Sequence, residues 1–223
     1  MPVRKNFSGC VSRLPAPVWL GLSLLALILV WPRPAGAEAA DSGLVAQIGP
    51  ARIKLIEPAG LIHIDGLDPA VDELLAGLKA PGAEILAVYA EPRSWNEYRK
   101  GINRDGPRAS LDFYAYIATP SLPPAETVTP KDFEQFKELT LQYGGEMRVL
   151  DNQPRYLTYQ ITTNQVNDSG QLVKAEQITT LILVEGKILA LNTFSNDLNR
   201  VPSQFPAGAL GWRDAYWKLT RPE

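Results

Sequence analysis

The sequence predicts an α+β fold: a central antiparallel sheet with helices packed on its faces. Three observations predict it. Tyr156 to Val166, Lys174 to Val184 and Lys187 to Ser195 are long strand-like runs joined by short links. Links that short require antiparallel pairing. Helical patterns interleave with the earlier strands, which assigns the helices to the sheet faces. The chain's one cysteine, Cys10, lies upstream of the domain, so packing alone must hold the fold.

The first segment reads as a secretory signal peptide. Arg4, Lys5 and Arg13 form a basic start, Val18 to Val30 is uncharged and apolar, and Pro32 and Pro34 break any helix. Ala35-Gly36-Ala37 then offers a small-x-small cleavage site. The apolar run covers roughly 20 Å, short of a hydrocarbon core of about 30 Å, which favours cleavage over an uncleaved anchor. Cys10 precedes the apolar run, whereas a lipoprotein cysteine must follow it. The expected organisation is a signal peptide over 1–37, a flexible leader over 38–50 and a single α+β domain over 51–223. The expected location is the bacterial envelope, periplasmic or secreted.

Cleavage after Ala37 leaves 186 residues, enough for one domain with a real core. Four of the 22 basic residues leave with the signal, so 18 face 24 acidic ones, a net charge of −6. An acidic domain gains nothing from counterion release on phosphates, which argues against a nucleic-acid partner. It also has no basic patch for anionic lipid, so membrane contact is expected only through the signal segment if that stays uncleaved.

Along the domain, Ala51 to Ile56 and Leu61 to Asp65 read as short strands around the turn Glu57-Pro58-Ala59-Gly60. Asp68 to Leu78 reads as a helix capped by Asp68, with Pro69 at its first position. Glu84 to Ala90 is a strand. Ser94-Trp95-Asn96-Glu97 has the spacing of a capping box and opens a short helix towards Ile102. In the strand Ser110 to Ala118, alternation puts Leu111, Phe113, Ala115 and Ile117 on one face and Asp112, Tyr114 and Tyr116 on the other. The four prolines of Thr119 to Pro130 make that stretch irregular, and Thr129 caps a helix that Gly144-Gly145 ends. Glu185-Gly186 is a tight hairpin. A last helix runs from about Ala207 to Lys218, with Trp212, Tyr216 and Trp217 on its apolar side.

In order, these pieces are an early strand at Arg52 to Pro58, the turn Gly60-Leu61, the strand Ile85 to Tyr89 and the hairpin Val184-Glu185-Gly186-Lys187. The layout resembles uncharacterised secreted bacterial proteins and, through them, the PsbP/Mog-like α/β/α sandwich. That resemblance implies a mostly non-enzymatic protein and carries over no functional residue.

The chemistry in the chain is sparse. His63 is the single histidine and reads as a strand residue. No G-x-S-x-G motif accompanies it, and with no cysteine in the domain a metal site would need carboxylates as co-ligands. Asp65, Asp68, Asp72 and Glu73 lack the EF-hand pattern, and helix capping accounts for three of them. Glu84, Glu91, Asp112 and Glu176 are the carboxylates available to a hydrolase. Phosphate-binding glycine loops are absent, so no cofactor is expected. Asn167-Asp168-Ser169 has the form of a glycosylation sequon. The aromatic residues are the remaining lead. Tyr114 and Tyr116, with Trp95, are the candidate ligand-binding residues.

Three functions are therefore weighed. The first is a non-enzymatic envelope protein with a protein partner, acting in interaction or assembly. The second is a small-ligand carrier or sensor with an aromatic-lined cleft. The third is a carboxylate-based hydrolase. A buried core containing Trp95, Tyr114 and Tyr116 alike would remove the support for the second.

Overall fold

The computed structural model describes residues 43–64, 82–102, 113–121, 127–143, 146–166, 170–196 and 205–220, with 71, 75 and 111 besides. Val71 and Leu75 are helical, and the rest of the helix expected over Asp68 to Leu78, the sequon and the signal segment lie outside the described residues.

A first hairpin pairs β1 (Val45–Ile48) with β2 (Ala51–Lys54). Strand β1 lies upstream of residue 51, where the sequence reading starts the domain. The remaining strands are β3 (Ile62–Ile64), β4 (Ala83–Ala90), β5 (Phe113–Pro120), β6 (Arg148–Gln153), β7 (Tyr156–Val166), β8 (Leu172–Val184) and β9 (Lys187–Ser195). They form one seven-stranded sheet in the order β3-β4-β5-β9-β8-β7-β6, antiparallel at every pairing. Three helices complete the described elements: α1 (Pro92–Ile102), α2 (Pro130–Tyr143) and α3 (Phe205–Thr220).

Local chemistry sets the boundaries. Glu185 and Gly186 both have positive φ, 49° and 72°, as a two-residue hairpin with the twist of the flanking strands requires. Helix α2 starts at a reciprocal cap. The Thr129 hydroxyl accepts from Asp132 N at 3.3 Å, and the Asp132 carboxylate accepts from Thr129 N at 2.9 Å. Helix α1 starts earlier than the capping-box spacing implies. Glu91, not Ser94, is the cap: its carboxylate accepts from Ser94 N at 2.7 Å, and Pro92 takes the first helical position.

The two sheet faces carry separate cores. On one, Ala115, Ile117, Leu189 and Leu191 pack with Trp212 and Tyr216 of α3, with Ile53 of the first hairpin and with Leu55 just after it. On the other, two clusters lie towards opposite ends of the sheet order. One joins Trp95 of α1 to Val88, Ala90 and Tyr114, and the other joins Phe133 of α2 to Leu157, Leu181 and Ile188. Leu111 belongs with Trp95, on the face opposite Phe113, because β5 starts only at Phe113 and the alternation does not extend upstream of it. No described helix is long and apolar enough to cross a membrane.

Candidate ligand-binding seam

Between the α1 and α2 clusters, the sheet face changes character. The register places Tyr116 opposite Asn192, Asn192 opposite Thr179, and Thr179 opposite Tyr159. The adjacent row runs from Tyr114 to Phe194 to Gln177. Directly opposed residues of antiparallel strands share a face and interact. The result is a strip of aromatic rings and uncharged polar groups crossing four strands.

The rings form a ladder. Phe194 stacks on Tyr114 with centroids 5.0 Å apart and on Tyr116 at 5.5 Å, the planes within 14° of parallel in both pairs. Trp95 stacks on Tyr98 at 5.7 Å beside them. The structure thus brings Trp95, Tyr114 and Tyr116 into one apolar cluster, but not to one depth. Trp95 and Tyr114 are 6 % and 8 % exposed, whereas Tyr116, Phe194, Tyr159 and Gln177 are half-buried.

The polar groups are linked to one another. The Gln177 amide donates to Thr179 Oγ1 at 2.8 Å, and Thr179 donates to Asn192 Oδ1 at 2.9 Å. The Asn192 amide donates back to the Ala190 carbonyl at 3.1 Å. Asn192 and Thr179 are nearly sealed from solvent, so this chain fixes them, while half-buried Gln177 stands at its open end.

The electrostatics are neutral. Burial pushes the Tyr116 phenol above its ordinary range, and neighbouring Tyr159 adds to the shift. Burial also raises Tyr159, against a hydrogen bond with Thr179 that lowers it, and burial raises Tyr114. All three phenols stay protonated at neutral pH. They can donate or accept hydrogen bonds but cannot act as bases.

Sequence reasoning had no access to Gln177, Thr179, Asn192, Tyr159 or Phe194. Each looks like an outward residue in an alternating strand, and only the cross-strand register shows that they converge.

The other chemistry stays dispersed. His63 lies opposite Tyr89 with ring centroids 5.6 Å apart, on the α3 side of the sheet. Glu84 and Glu91 stand at opposite ends of β4, about 20 Å apart along the strand, too far for a paired-carboxylate hydrolase. Glu176 is buried on the α3 side, and Asp112 lies outside the described residues. Among the described residues no three His, Cys, Asp or Glu side chains cluster as metal ligands.

No family model matches the chain, and no curated protein matches it. Among solved structures, it is similar to a fragment (25–204) of a STAR-related lipid transfer protein from Xanthomonas axonopodis. The identity is 10 % and the TM-score 0.22, covering 73 % of this chain and 99 % of that one.

Proposed function

We propose that the protein is a carrier or sensor for a small uncharged ligand, held against the sheet between α1 and α2. One observation carries the reading: the half-buried strip of Tyr116, Phe194, Tyr159 and Gln177 interrupts an otherwise apolar face. A neutral ring-bearing molecule suits it. Ring faces offer apolar area, and the phenols and amide offer directional hydrogen bonds without charge. Trp95 and Tyr114 back the strip from within the cluster. Among the described residues, the strip offers rings, hydroxyls and amides, which suit binding and release.

The export signal, the envelope location and the α/β/α layering of PsbP/Mog-like proteins belong to the same proposal. They rest on the N-terminal pattern and on the order of elements. The ligand reading takes precedence over a protein partner because the strip is a specific chemical surface.

A thermal-unfolding screen against uncharged ring compounds tests it. A hit should raise Tm in proportion to the logarithm of its concentration. Tyr116→Ala and Gln177→Ala should each weaken binding by about tenfold or more, as expected for loss of a stacked or hydrogen-bonded anchor. A hit that binds both variants as tightly as the parent chain would place the ligand elsewhere. A screen with no hit, together with a stoichiometric protein captured from the native envelope, would replace the ligand with a partner.

A further inference from the structure

On the opposite face, two buried side-chain oxygens stand together, each without a hydrogen-bond partner. Ser195 is fully buried and its Oγ makes no hydrogen bond; Glu176 is 8 % exposed and its Oε1 makes none. The register places them directly opposite each other on β9 and β8, with Phe113 next in the same row on β5. Their Cβ atoms therefore stand about 5 Å apart on one face.

Apolar side chains flank the pair on the α3 side. Phe205 of α3 lies edge-on to Phe113 at 5.6 Å, and Phe205 and Ala209 pack on Ile178, the next residue of β8 on that face. Burial raises the Glu176 carboxyl above its ordinary range, opposed by a hydrogen bond with Gln160, and no cation among the described residues offsets it. Polar atoms this deep are almost always satisfied, and an unpaired buried carboxylate is costly to fold.

We propose that Glu176 and Ser195 are the acceptor pair of a second binding site, which takes the ammonium group of a small primary amine. The chemistry selects this class. The Glu176 carboxylate only accepts, and the Ser195 hydroxyl accepts as well as donates, so a single donating occupant satisfies both. The carboxylate calls for a positive charge. The Phe113 and Phe205 rings and Ile178 suit the carbon attached to the ammonium, and a ring near a cation adds attraction. A multivalent metal is disfavoured because a lone carboxylate does not complete a coordination shell. A water molecule would satisfy the hydrogen bonds but leave the charge uncompensated.

The test is thermal unfolding of the full chain in methylammonium chloride against equimolar sodium chloride. The expected result is a saturable rise in Tm with methylammonium that sodium does not give. Tetramethylammonium, which has no N–H, should not reproduce it. Glu176→Gln should abolish the rise and Ser195→Ala should weaken it, while Tyr116→Ala leaves it intact, which separates this site from the seam. Equal responses to methylammonium and sodium would overturn the proposal, because the pair would then hold only solvent. So would a rise that survives Glu176→Gln. Should that variant not fold, carboxyl-carbon NMR of the parent chain decides. Methylammonium should bring the Glu176 titration back towards the ordinary carboxyl range, and an unmoved titration would overturn the proposal.

Discussion

The Ile56 peptide is held at both ends by one helix. Its N–H donates to Tyr216 Oη at 2.9 Å, and its carbonyl accepts from Trp212 Nε1 at 2.7 Å. Both aromatic rings are also core, at 1 % and 2 % exposure. Tyr216→Phe keeps the ring and removes the acceptor, leaving a buried N–H unpaired. It should cost about 1–3 kcal/mol in urea unfolding. Gly186 is a second fixed point. Its φ is +72°, and an added Cβ would come 2.5 Å from Thr127 Cγ2. Gly186→Ala should destabilise by about 1–3 kcal/mol, and no change in Tm would contradict the described turn. Glu176 sets a pH dependence of definite sign. Its folded carboxyl ionises later than the ordinary 4.5, so the folded state binds more protons than the unfolded one above that pH. Stability should fall as pH rises from about 4.5 through the raised folded value. Glu176→Gln should flatten that slope.

At the scale of elements, the sequence was most legible where a period of two met turn chemistry. Strands β7, β8 and β9 and the Glu185-Gly186 hairpin follow from alternation and from the need for positive φ. Strand β6 (Arg148–Gln153) was not legible, because it is a short, polar edge strand with little buried surface to leave a pattern. Its register breaks between Val149 and Asp151, a bulge that makes the edge a poor template for pairing with another chain. The same bulge serves a latch. Asp151 Oδ2 accepts from Tyr156 Oη at 2.8 Å and from Arg213 of α3 at 3.1 Å. Partial burial raises the Asp151 carboxyl, but hydrogen bonds from Gln153 and Tyr156 and the Arg213 charge outweigh it and hold it below its ordinary range. The latch therefore stabilises the fold above the ordinary Asp pKa of 3.8 and is lost as pH falls through the lowered value. Asp151→Asn removes that contribution, so stability against pH in urea unfolding should show a shallower acid limb, and an unchanged limb would assign the acid dependence to other carboxylates.

For the whole molecule, the antiparallel order decides what meets what. Strand β9 lies between β5 and β8, so Tyr114 and Tyr116, distant in sequence from Gln177 and Thr179, reach them through Phe194 and Asn192. Of the seam's rings, Tyr114 and Tyr116 were legible from alternation in Ser110 to Ala118, whereas Phe194 and Tyr159 were not. The polar half was not, because a glutamine or threonine on an alternating strand looks like a solvated residue until its cross-strand neighbours are known. The two helices on that face stand on separate clusters, and the proposed site lies where Tyr116 and Phe194 of one meet Tyr159 of the other, on the face opposite α3. Substitutions in the seam should therefore affect binding more than folding. Gln177→Ala should leave Tm within a few degrees of the parent chain, in keeping with the small cost of half-buried polar sites.

The most direct measurement is native mass spectrometry of the protein purified from its own cells, alongside a Tyr116→Ala/Gln177→Ala double variant. The account predicts a small uncharged molecule retained by the parent chain and lost from the variant, with both folded. A parent chain that carries no such molecule, or a variant that retains it, would contradict the seam as the binding site.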